Sequence, residues 1–456
     1  MGSAERIRTA ARISAEQSRQ RPTAIVVSAM SKVTDLLLDT LRQAEAGQSE
    51  QVAKNIDALR TRHQETTREL LQGEAQTAVL QEIESILSAF ERITRGIQLL
   101  GDRPPRSIDE AIAMGEQLSA TMIAACLSQT GTPAVAVNAA TVVVTDAVFG
   151  NATPLLERTR QKAAETLVPA LQKGILPVLT GFNGATEDGK PTTLGRGGSD
   201  FSASILAYAL DASELWIWTD VDGIMSADPR LVKDAKVLSE VTYSEAAELA
   251  YNGAKVLHPR TLAPLVQKKI PVWSKNSFNL AAPGTHISPS LKEAGRGARA
   301  VTSMSNVTMV SIEPANATVG GTRIMARALD ALSLVSAEVL MFSSSSYQQN
   351  FWFLIRKDEL SATLKVLTAA LALEIEHGYV NPIDINDNVG LIAIVGEGMR
   401  GTAGIAGRIF TAVSREDVNI MAIAQGSSEL TINIVVAREG LEKAVKAIHA
   451  ECGMAH

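Results

Sequence analysis

The stretch "TTLGRGGSDFSAS", from Thr192 to Ser204, places three glycines, one arginine and one aspartate directly before an apolar run, "ASILAYAL". Glycines allow close backbone approach, and a helix start supplies free N–H groups with a partial positive charge. Arg196 adds a two-pronged donor for a carboxylate or phosphate. The functional interpretation is therefore an anion site at a helix start. The alternative is a plain turn and helix cap, in which the glycines serve backbone geometry alone.

A second polar loop, "WTDVDGIMSADPR", follows the next apolar strand pattern and carries Asp220, Asp222, Asp228 and Arg230. A group of acids beside a basic anion site suits a nucleotide bound with Mg²⁺. Asp222 and Asp228 are also typical of a solvated turn, and we expect that simpler role for both.

The apolar runs "TAIVVSAM", "ILPVLTGF" and "ELWIWTD" indicate buried strands, and helical patterns separate them. Strands that are apolar throughout predict an α/β fold, with a parallel-rich sheet covered by helices on both faces. Ligands bind at the carboxyl ends of such strands, so the loops to inspect follow Val27, Leu179 and Trp218.

The helical patterns occupy residues 32–100 and the stretch "SIDEAIAMGEQLSATMIAACLSQ". We expect the latter to be one helix, capped by Ser107 with Glu110 in a capping box. The N-terminal "MGSAERIRTAARI" predicts an amphipathic helix and lacks the apolar core of a secretory signal.

The composition sets limits on function. A chain of 456 residues with 46% apolar and 20% charged residues indicates two or three soluble globular domains. A net charge of -6, without a basic stripe, argues against a nucleic-acid partner. The sequence contains no run of roughly 18 apolar residues, so it predicts no membrane span. Cys126 and Cys452 are the only cysteines, which excludes a disulfide framework and a four-thiolate metal site. We expect a cytoplasmic protein.

The C-terminal part contains an internal repeat. "GTRIMARALDALSLVSAEVLMFSSSS" resembles "TAGIAGRIFTAVSREDVNIMAIAQGSS", and each copy has the pattern strand, helix, strand, strand, helix. That order predicts two small ferredoxin-like units, at 305–380 and 381–456. The stretch 291–304 is rich in Pro, Gly, Ser and charge and predicts a linker. Residues 1–290 then form the larger domain.

Several long motifs together carry a family resemblance. "TGFNGATEDGKPTTLGRGGSDFSAS", "WTDVDGIMSADPR", "GAKVLHPRT", "MGEQLSA", "VTDAVFGNATP" and "PGTHIS" resemble aspartate kinase, of the amino-acid kinase superfamily. The repeat resembles paired ACT domains, the amino-acid-sensing modules of that enzyme. "VGEGMRGTAGIAGRIF" with "IAQGSSE" is most similar to the kinase half of the fused aspartate kinase–homoserine dehydrogenases. The resemblance covers nearly the whole chain, without the dehydrogenase half.

The resemblance implies where the substrate aspartate binds. Its pocket would contain Thr34, Glu116, Arg196, Gly197, Gly198 and Ser199. Glu116 suits the α-ammonium of aspartate, whereas Arg196 suits a carboxylate. Thr34 could equally be an ordinary hydroxyl at a helix start.

The resemblance also implies the residues that contact ATP and that act in catalysis. The expected nucleotide contacts are Ser28, Thr219, Asp220, Met225, Arg230, Lys255 and Val256. Met225 stands where the family often has an aromatic residue, so stacking on the base would be weaker. Asp200 would organise Mg²⁺, although no residue is assigned as a direct metal ligand. With Arg196 and Lys255 it completes the expected catalytic group, because phosphoryl transfer needs charge neutralisation and positioning.

One feature of the family is missing from the chain. The family begins with a strand that ends in Lys-Phe-Gly-Gly-Thr-Ser-Val. This sequence opens at "MGSAERIR", which resembles the residues that come directly after that motif in the family. We therefore expect either that the native chain is longer or that the protein is a pseudokinase.

The leading hypothesis is an ATP-dependent kinase that makes 4-phospho-L-aspartate, the entry step to lysine, threonine and methionine synthesis. One alternative is another amino-acid kinase, such as one that acts on glutamate. A second is a non-catalytic amino-acid-sensing regulatory subunit.

The ferredoxin-like units are expected to bind an effector and to pair with a second chain, giving a homodimer or homotetramer. In "EGMRGTAGIAG", Gly401, Thr402 and Gly404 would leave N–H groups free for a carboxylate. Asn419 and Gln425 would supply amides, or these polar residues simply end strands. By resemblance, threonine is the first expected effector and lysine the second. The first unit departs from the pattern at "EPANATVGG" and at Ser343, so its pocket would be altered or empty.

Overall fold

A computed structural model of the chain describes residues 2–254, 257–292, 297–315, 320–335, 337–345 and 349–454. The chain divides into two compact units. Unit 1 comprises Met1–Val221 and Arg260–Ala282, and unit 2 comprises Asp222–Pro259 and Pro283–His456. The segment 222–259 belongs to unit 2 because Ala227 and Val232 are buried in an apolar cluster with the last ferredoxin-like sheet. The sequence instead predicts it within the larger domain, whose limits of 1–290 remain a prediction.

Helices fill much of the first 221 residues. They are α1 (Ala4–Ser18), α2 (Val33–Glu45), α3 (Ser49–Leu70), α4 (Gly73–Leu100), α5 (Pro105–Ile112), α6 (Met114–Gln129), α7 (Leu156–Thr166), α8 (Val168–Gln172) and α9 (Gly198–Ala209). The predicted N-terminal helix and the helical pattern of residues 32–100 are thus confirmed. The apolar positions of these helices recur every three or four residues, so they lie on one face of each helix. Side chains such as Leu37, Phe90 and Leu118 therefore pack in one core.

The strands of this part are β1 (Ile25–Val27), β2 (Ala134–Val137), β3 (Val144–Thr145), β4 (Leu176–Thr180), β5 (Asn183–Thr186), β6 (Pro191–Thr193) and β7 (Leu215–Thr219). β1 and β2 flank β4, and both pair with it in parallel. β5 pairs with β3 in parallel and with β6 antiparallel.

Helices cover both faces of the sheet around β4. Leu176 and Val178 join the core formed with α2, α4 and α6, whereas Leu179 joins a second core with α7 and α9. Neighbouring strand residues point to opposite faces, so a strand that is apolar throughout needs cover on both sides. The predicted α/β fold is confirmed.

The predicted long helix is two helices, and its predicted cap is wrong. α5 begins at Pro105, with Pro104 in the cap position, and Ser107 and Glu110 lie inside the helix. Proline suits the first helical position, since its fixed φ fits the helix and no N–H partner is lost. The stretch Pro105–Gln129 is long and apolar enough to cross a membrane by composition, but 78% of its most apolar window is buried inside the structure.

Residues 222–288 alternate between the two units. β8 (Glu240–Thr242) and α10 (Tyr243–Tyr251) belong to unit 2, and α11 (Pro259–Lys268) and β9 (Val272–Asn276) lead back through unit 1. β9 pairs in parallel with β7. β10 (Thr285–Ser288) belongs to unit 2 and pairs in parallel with β8.

The rest of unit 2 contains the two ferredoxin-like domains. The strands are β11 (Ala300–Met304), β12 (Val307–Ile312), β13 (Met341–Ser344), β14 (Phe351–Arg356), β15 (Asp384–Asn386), β16 (Val389–Val395), β17 (Ile420–Gln425) and β18 (Thr431–Ala437). The helices are α12 (Gly321–Ser333), α13 (Leu360–Ala370), α14 (Ala372–Glu376), α15 (Ile405–Arg415) and α16 (Leu441–Glu451). Both copies of the predicted strand–helix–strand–strand–helix order are present.

Each ferredoxin-like sheet gains a fourth strand from outside its predicted limits. The first sheet has the order β13-β14-β12-β15, and the second has β11-β16-β18-β17. β15 lies beyond the predicted boundary at 380/381, and β11 lies in the predicted linker 291–304. The linker prediction is wrong at Ala300–Met304, because these residues pair along β16 from Leu391 to Val395. The first ferredoxin-like domain is therefore inserted into the second.

Candidate functional site

The candidate site begins where two neighbouring parallel strands end. Val27 of β1 lies opposite Thr180 of β4, and the Gly181 N–H donates to the Val27 carbonyl at 2.8 Å. Ser28 is exposed directly after β1. The loops predicted to follow Val27 and Leu179 therefore leave the sheet side by side, as the carboxyl ends of parallel strands must.

The turn after β4 packs tightly against the start of α9. A Cβ added to Gly181 would lie 2.7 Å from the Ser199 Cβ, and one added to Gly198 would overlap the Phe182 ring. Phe182 has a left-handed φ of 71° and donates its N–H to the Ser202 hydroxyl at 2.9 Å. The glycines of the "GRGGSD" loop thus have a packing role as well as a conformational one.

The start of α9 has the features of an anion site. Gly197 is the cap residue at φ 70°, and no side chain among the described residues caps the helix there. Its first-turn N–H groups therefore lack the acceptor that a cap supplies, and they carry the positive end of the helix dipole. Arg196 is exposed immediately before this turn.

Asp200 stands in the first turn of α9 and is half-buried. Burial raises the pKa of its carboxyl above the ordinary value. The described residues contain no group of three or more His, Cys, Asp or Glu side chains that could hold a metal ion on their own. Mg²⁺ in nucleotide sites typically takes one or two carboxylates together with phosphate oxygens, and Asp200 fits that smaller donor set.

Glu116 of α6 is a buried acid with an unused oxygen. Its side chain is 3% exposed, and its Oε1 accepts the Ala29 N–H at 3.1 Å. Its Oε2 is buried and has no hydrogen-bond partner among the described residues. Burial raises the pKa of Glu116 to about 7. A buried carboxylate oxygen without a partner is costly, so Oε2 of Glu116 has the capacity to accept a hydrogen bond from a ligand.

Close packing brings Glu116 to the loop after β1. A Cβ added to the neighbouring Gly115 would lie 2.9 Å from the Ala29 Cβ and 3.3 Å from the Val33 side chain. Val33 begins α2, so the first turn of α2, which carries the half-buried Thr34, borders the same region. The structure thus groups Glu116, the β1 loop and the turn of Thr34.

Thr219 is the last residue of β7, and Asp220 follows it in unit 1. The Ser277 N–H and hydroxyl both donate to the Thr219 carbonyl, at 2.9 and 3.0 Å, and Asp220 is exposed. The predicted nucleotide contacts Met225 and Arg230 belong to unit 2. There the Arg230 guanidinium pairs with Asp228, with one N–H···O distance of 2.6 Å. Lys255 and Val256 lie outside the described residues.

The predicted effector loop is partly occupied by the chain itself. The Gly401 N–H donates to Glu429 Oε2 at 2.7 Å, and the Thr402 N–H donates to the Met399 carbonyl at 3.0 Å. The prediction of free N–H groups is therefore wrong for Gly401 and Thr402, because the hairpin between β17 and β18 supplies an acid to Gly401 and the turn itself supplies a carbonyl to Thr402; for Gly404 it stays a prediction.

Asn419 and Gln425 are exposed at the two ends of β17. Six residues of extended strand span about 20 Å, so one small ligand cannot contact both amides in a single chain. In the first ferredoxin-like domain Ser343 lies in β13, and part of the departure at "EPANATVGG", residues 316–319, lies outside the described residues.

Two charged side chains near the site were missed by the sequence reasoning. Asp109 of α5 is buried and bonds to Gly150 and Thr193, and Arg260 of α11 bonds to the carbonyls of Ala152 and Leu194. An acid early in a helix and an arginine after a proline are common, so neither gives a sequence signal.

Two protein-family models and several known proteins match the sequence of this chain. The model of the amino acid kinase family matches residues 1–276, and that of the ACT domain matches residues 392–452. Bifunctional aspartokinase/homoserine dehydrogenase 1 of Arabidopsis thaliana is 33% identical over 99% of this chain and 50% of its own length. The chain thus spans about half the length of the bifunctional relatives that it matches.

Solved structures agree over almost the full chain. E. coli aspartokinase III in complex with aspartate and ADP superposes with a TM-score of 0.81 at 28% identity, covering 97% of this chain and 96% of that one. The same enzyme with lysine and aspartate gives 0.77 at 29% identity, covering 94% and 92%. Together with the glycine loop at the sheet edge, these matches mean that the chain carries an ACT domain and belongs to the amino acid kinase family.

Proposed function

We propose that the protein is an aspartate kinase, which transfers the γ-phosphoryl group of ATP to the side-chain carboxylate of L-aspartate and forms 4-phospho-L-aspartate. The observation that carries the proposal is the buried Oε2 of Glu116, which has no hydrogen-bond partner in the described parts of the chain. An α-ammonium group would supply the missing donor, and Arg196 with the free first turn of α9 would take a carboxylate. Glu116 and Arg196 thus offer complementary charges to an acidic amino acid.

The substrate site consists of Glu116, Thr34 and the α9 start. Arg196 neutralises a carboxylate, while the backbone of Gly197 and Gly198 and the hydroxyl of Ser199 complete the anion contacts. Because the acceptor and the nucleotide are both anions, catalysis depends on charge neutralisation and on in-line positioning.

The nucleotide contacts are proposed from the family resemblance, and seven residues are involved: Ser28, Thr219, Asp220, Met225, Arg230, Lys255 and Val256. Asp200 would hold Mg²⁺, which spreads the charge of the transferring phosphoryl group. Arg230 must exchange its contact with Asp228 for a phosphate. Arg230 is exposed and Asp228 is half-buried, and ion pairs near the surface contribute little, so we expect the exchange to cost about 1 kcal/mol or less.

Regulation is proposed to run through the ACT domains. A solved relative is described in complex with lysine, and the effector here is threonine or lysine, bound near Gly401, Thr402, Asn419 or Gln425. Since the two amides are about 20 Å apart along β17, a site that uses both requires a second chain. A homodimer or homotetramer fits that requirement. The reaction would be the first step of lysine, threonine and methionine biosynthesis, in the cytoplasm.

The direct test is aspartate-dependent ATP turnover, with the acyl phosphate trapped by hydroxylamine. The chain is assayed with its present N-terminus and with a Lys-Phe-Gly-Gly strand added ahead of it, and L-glutamate serves as the competing acceptor. We expect turnover with aspartate in at least one form. Turnover with glutamate alone would favour another amino-acid kinase, and amino-acid binding without turnover in either form would favour a sensor subunit.

Arg196→Ala separates substrate binding from nucleotide binding. We expect the KM for aspartate to rise by about 10²-fold and the KM for ATP to stay within about twofold, as for loss of one placed charge contact. Arg92→Ala, an exposed arginine on α4, is the matched control. Equal losses for both substrates would contradict the assignment of Arg196.

A further inference from the structure

The carboxylate of Asp109 bonds to the loop at Gly150 and to the end of β6, three residues before Arg196. The side chain is 1% exposed. Its Oδ2 accepts the N–H groups of Gly150 and Thr193, each at 2.8 Å, and its Oδ1 accepts the Thr193 hydroxyl at 2.8 Å. Burial raises the pKa of Asp109, and these hydrogen bonds oppose that rise. Three short contacts from one buried acid fix the end of β6 to α5.

The loop at Gly150 is itself joined to β6. The Ala152 N–H donates to the Thr193 carbonyl at 2.8 Å. A Cβ added to Gly195 would lie 2.7 Å from Asn151 Oδ1. The loop 150–152 therefore lies against the residues that lead into Arg196.

Arg260 holds the same residues by further contacts. Its guanidinium donates to Asn151 Oδ1, and it donates at 3.4 Å to the Leu194 carbonyl. The Leu194 N–H in turn donates to the Phe182 carbonyl at 2.9 Å. Residues 193–194 are thus fixed to α5, to α11 and to the turn after β4.

Arg196 stands in the short bridge between this anchored segment and α9. Gly195 and Gly197, on its two sides, have φ values of 74° and 70°, in the left-handed region that glycine tolerates. Glycines give the bridge little stiffness of its own. The direction of Arg196 is therefore set by the anchors at its two ends, which are Thr193–Leu194 and the first turn of α9.

We propose that Asp109 is a positioning residue for the phosphoryl-acceptor site: it holds Thr193 so that Arg196 meets the substrate carboxylate in the productive direction. The inference rests on the proposed function and adds to it a residue that acts through Arg196 without touching the substrate. Placement errors of about 1 Å in such sites can cost about 10²-fold in rate. A purely structural role for Asp109 would instead lower stability and affect both substrates alike.

The test compares Asp109→Ala with Asp109→Asn. The asparagine amide oxygen can still accept both backbone N–H groups, and its NH₂ can donate to the Thr193 hydroxyl, which then accepts. We expect Asp109→Ala to raise the KM for aspartate by about 10–100-fold, with the KM for ATP within about twofold, and Asp109→Asn to remain within about threefold of the native protein. A parallel rise in both KM values, or equal damage in the two variants, overturns the proposal.

The double variant Asp109→Ala/Arg196→Ala gives the second readout. If Asp109 acts through Arg196, the double variant is no worse in aspartate KM than Arg196→Ala alone. Additive losses contradict the proposal. If Asp109→Ala does not fold, Thr193→Val removes one of the three contacts and is expected to raise the aspartate KM about threefold to tenfold. An unchanged KM in that variant overturns the proposal.

Turnover of the native protein with aspartate is measured before any variant, so a failure of the proposed function can be told from a failure of the positioning role. Absence of native turnover in both forms of the chain overturns the proposed function. Native turnover with a uniform loss in Asp109→Ala overturns only the positioning role.

Discussion

Replacing Glu116 by glutamine is expected to stabilise the protein at alkaline pH while weakening the binding of aspartate. The native side chain is 3% exposed and has one oxygen without a partner among the described residues, and burial raises its pKa from 4.5 to about 7. A shift of that size means that the folded state disfavours the ionised form by about 3 kcal/mol. Glutamine has nearly the same shape and remains neutral at every pH.

The sign of the effect follows from the raised pKa. The folded protein keeps the Glu116 proton to about pH 7, whereas the unfolded chain releases it near 4.5. The stability that the neutral acid contributes is therefore complete below pH 4.5 and is lost as the pH rises to about 7. Glu116→Gln should exceed the free energy of unfolding of the native protein by less than about 1 kcal/mol at pH 5 and by up to about 3 kcal/mol at pH 8.

Urea unfolding followed by tryptophan fluorescence suits this measurement. Three of the four tryptophans, Trp216, Trp218 and Trp273, lie in unit 1 with Glu116. Glu82→Gln, which removes an exposed acid from α4, is the matched control and should show no such difference between pH 5 and pH 8. If the free energies of unfolding of Glu116→Gln and the native protein differ by the same amount at both pH values, the claim that burial raises the pKa of Glu116 is refuted.

Aspartate binding gives the functional half of the same prediction. An ammonium group needs Glu116 ionised, so below pH 7 the KM of the native protein should rise by about tenfold per pH unit from this group. The KM of Glu116→Gln should be high throughout and lack this pH dependence. If the native KM for aspartate does not change between pH 6 and pH 8, Glu116 does not bind the substrate ammonium group.

Three further substitutions test other parts of the structure. Gly198→Ala forces a Cβ into the Phe182 ring, so we expect a loss of about 1–3 kcal/mol in urea unfolding together with a higher aspartate KM; a neutral outcome would contradict the close packing. Glu429→Gln replaces a charged acceptor of the Gly401 N–H by a weaker neutral one. Calorimetry should then show the effector binding about fivefold more tightly. Unchanged or weaker binding would mean that Glu429 does not compete with the effector for this N–H group. Arg299→Met removes the cationic partner of the buried Glu245, whose carboxylate still accepts the N–H groups of Thr242 and Glu397. We therefore expect unit 2 to lose up to about 3 kcal/mol in urea unfolding followed through Trp352, and an unchanged stability would contradict a contribution from this ion pair.

The sequence predicts the parts of this protein whose signals are local. β1, β4 and β7 are short apolar runs that need cover on both faces, and the glycine loop before α9 combines turn residues with a helix start. Both features depend on neighbouring residues, so the α/β fold follows from pattern alone, and the same kind of pattern is the basis for proposing an anion site. Glu116 was identified through the family resemblance, and the structure adds its burial and its unpartnered oxygen.

Other features depend on distant partners and leave no local signal. β11 lies in a stretch rich in Pro, Gly and charge, and its partner β16 begins at Val389. Asp109 bonds to residues 41 and 84 positions away. The start of α5 was misplaced because Ser107 followed by Glu110 matches a capping box, although the proline before it is the stronger start signal.

The insertion of one ferredoxin-like domain into the other has a consequence for the order of synthesis. β11 leaves the ribosome before the whole of the first domain, and its partner strand is made more than eighty residues later. The first domain can complete its own sheet in that interval. The second domain must wait for its last strands, and pairing β11 with β16 costs the conformational entropy of closing the long loop between them. A fragment that starts at residue 305 omits β11 and leaves an open edge on β16, which is a template for pairing with another chain. Fragments for biophysical work should therefore begin before residue 300, and chains that stall within β16 are the ones most exposed to strand exchange.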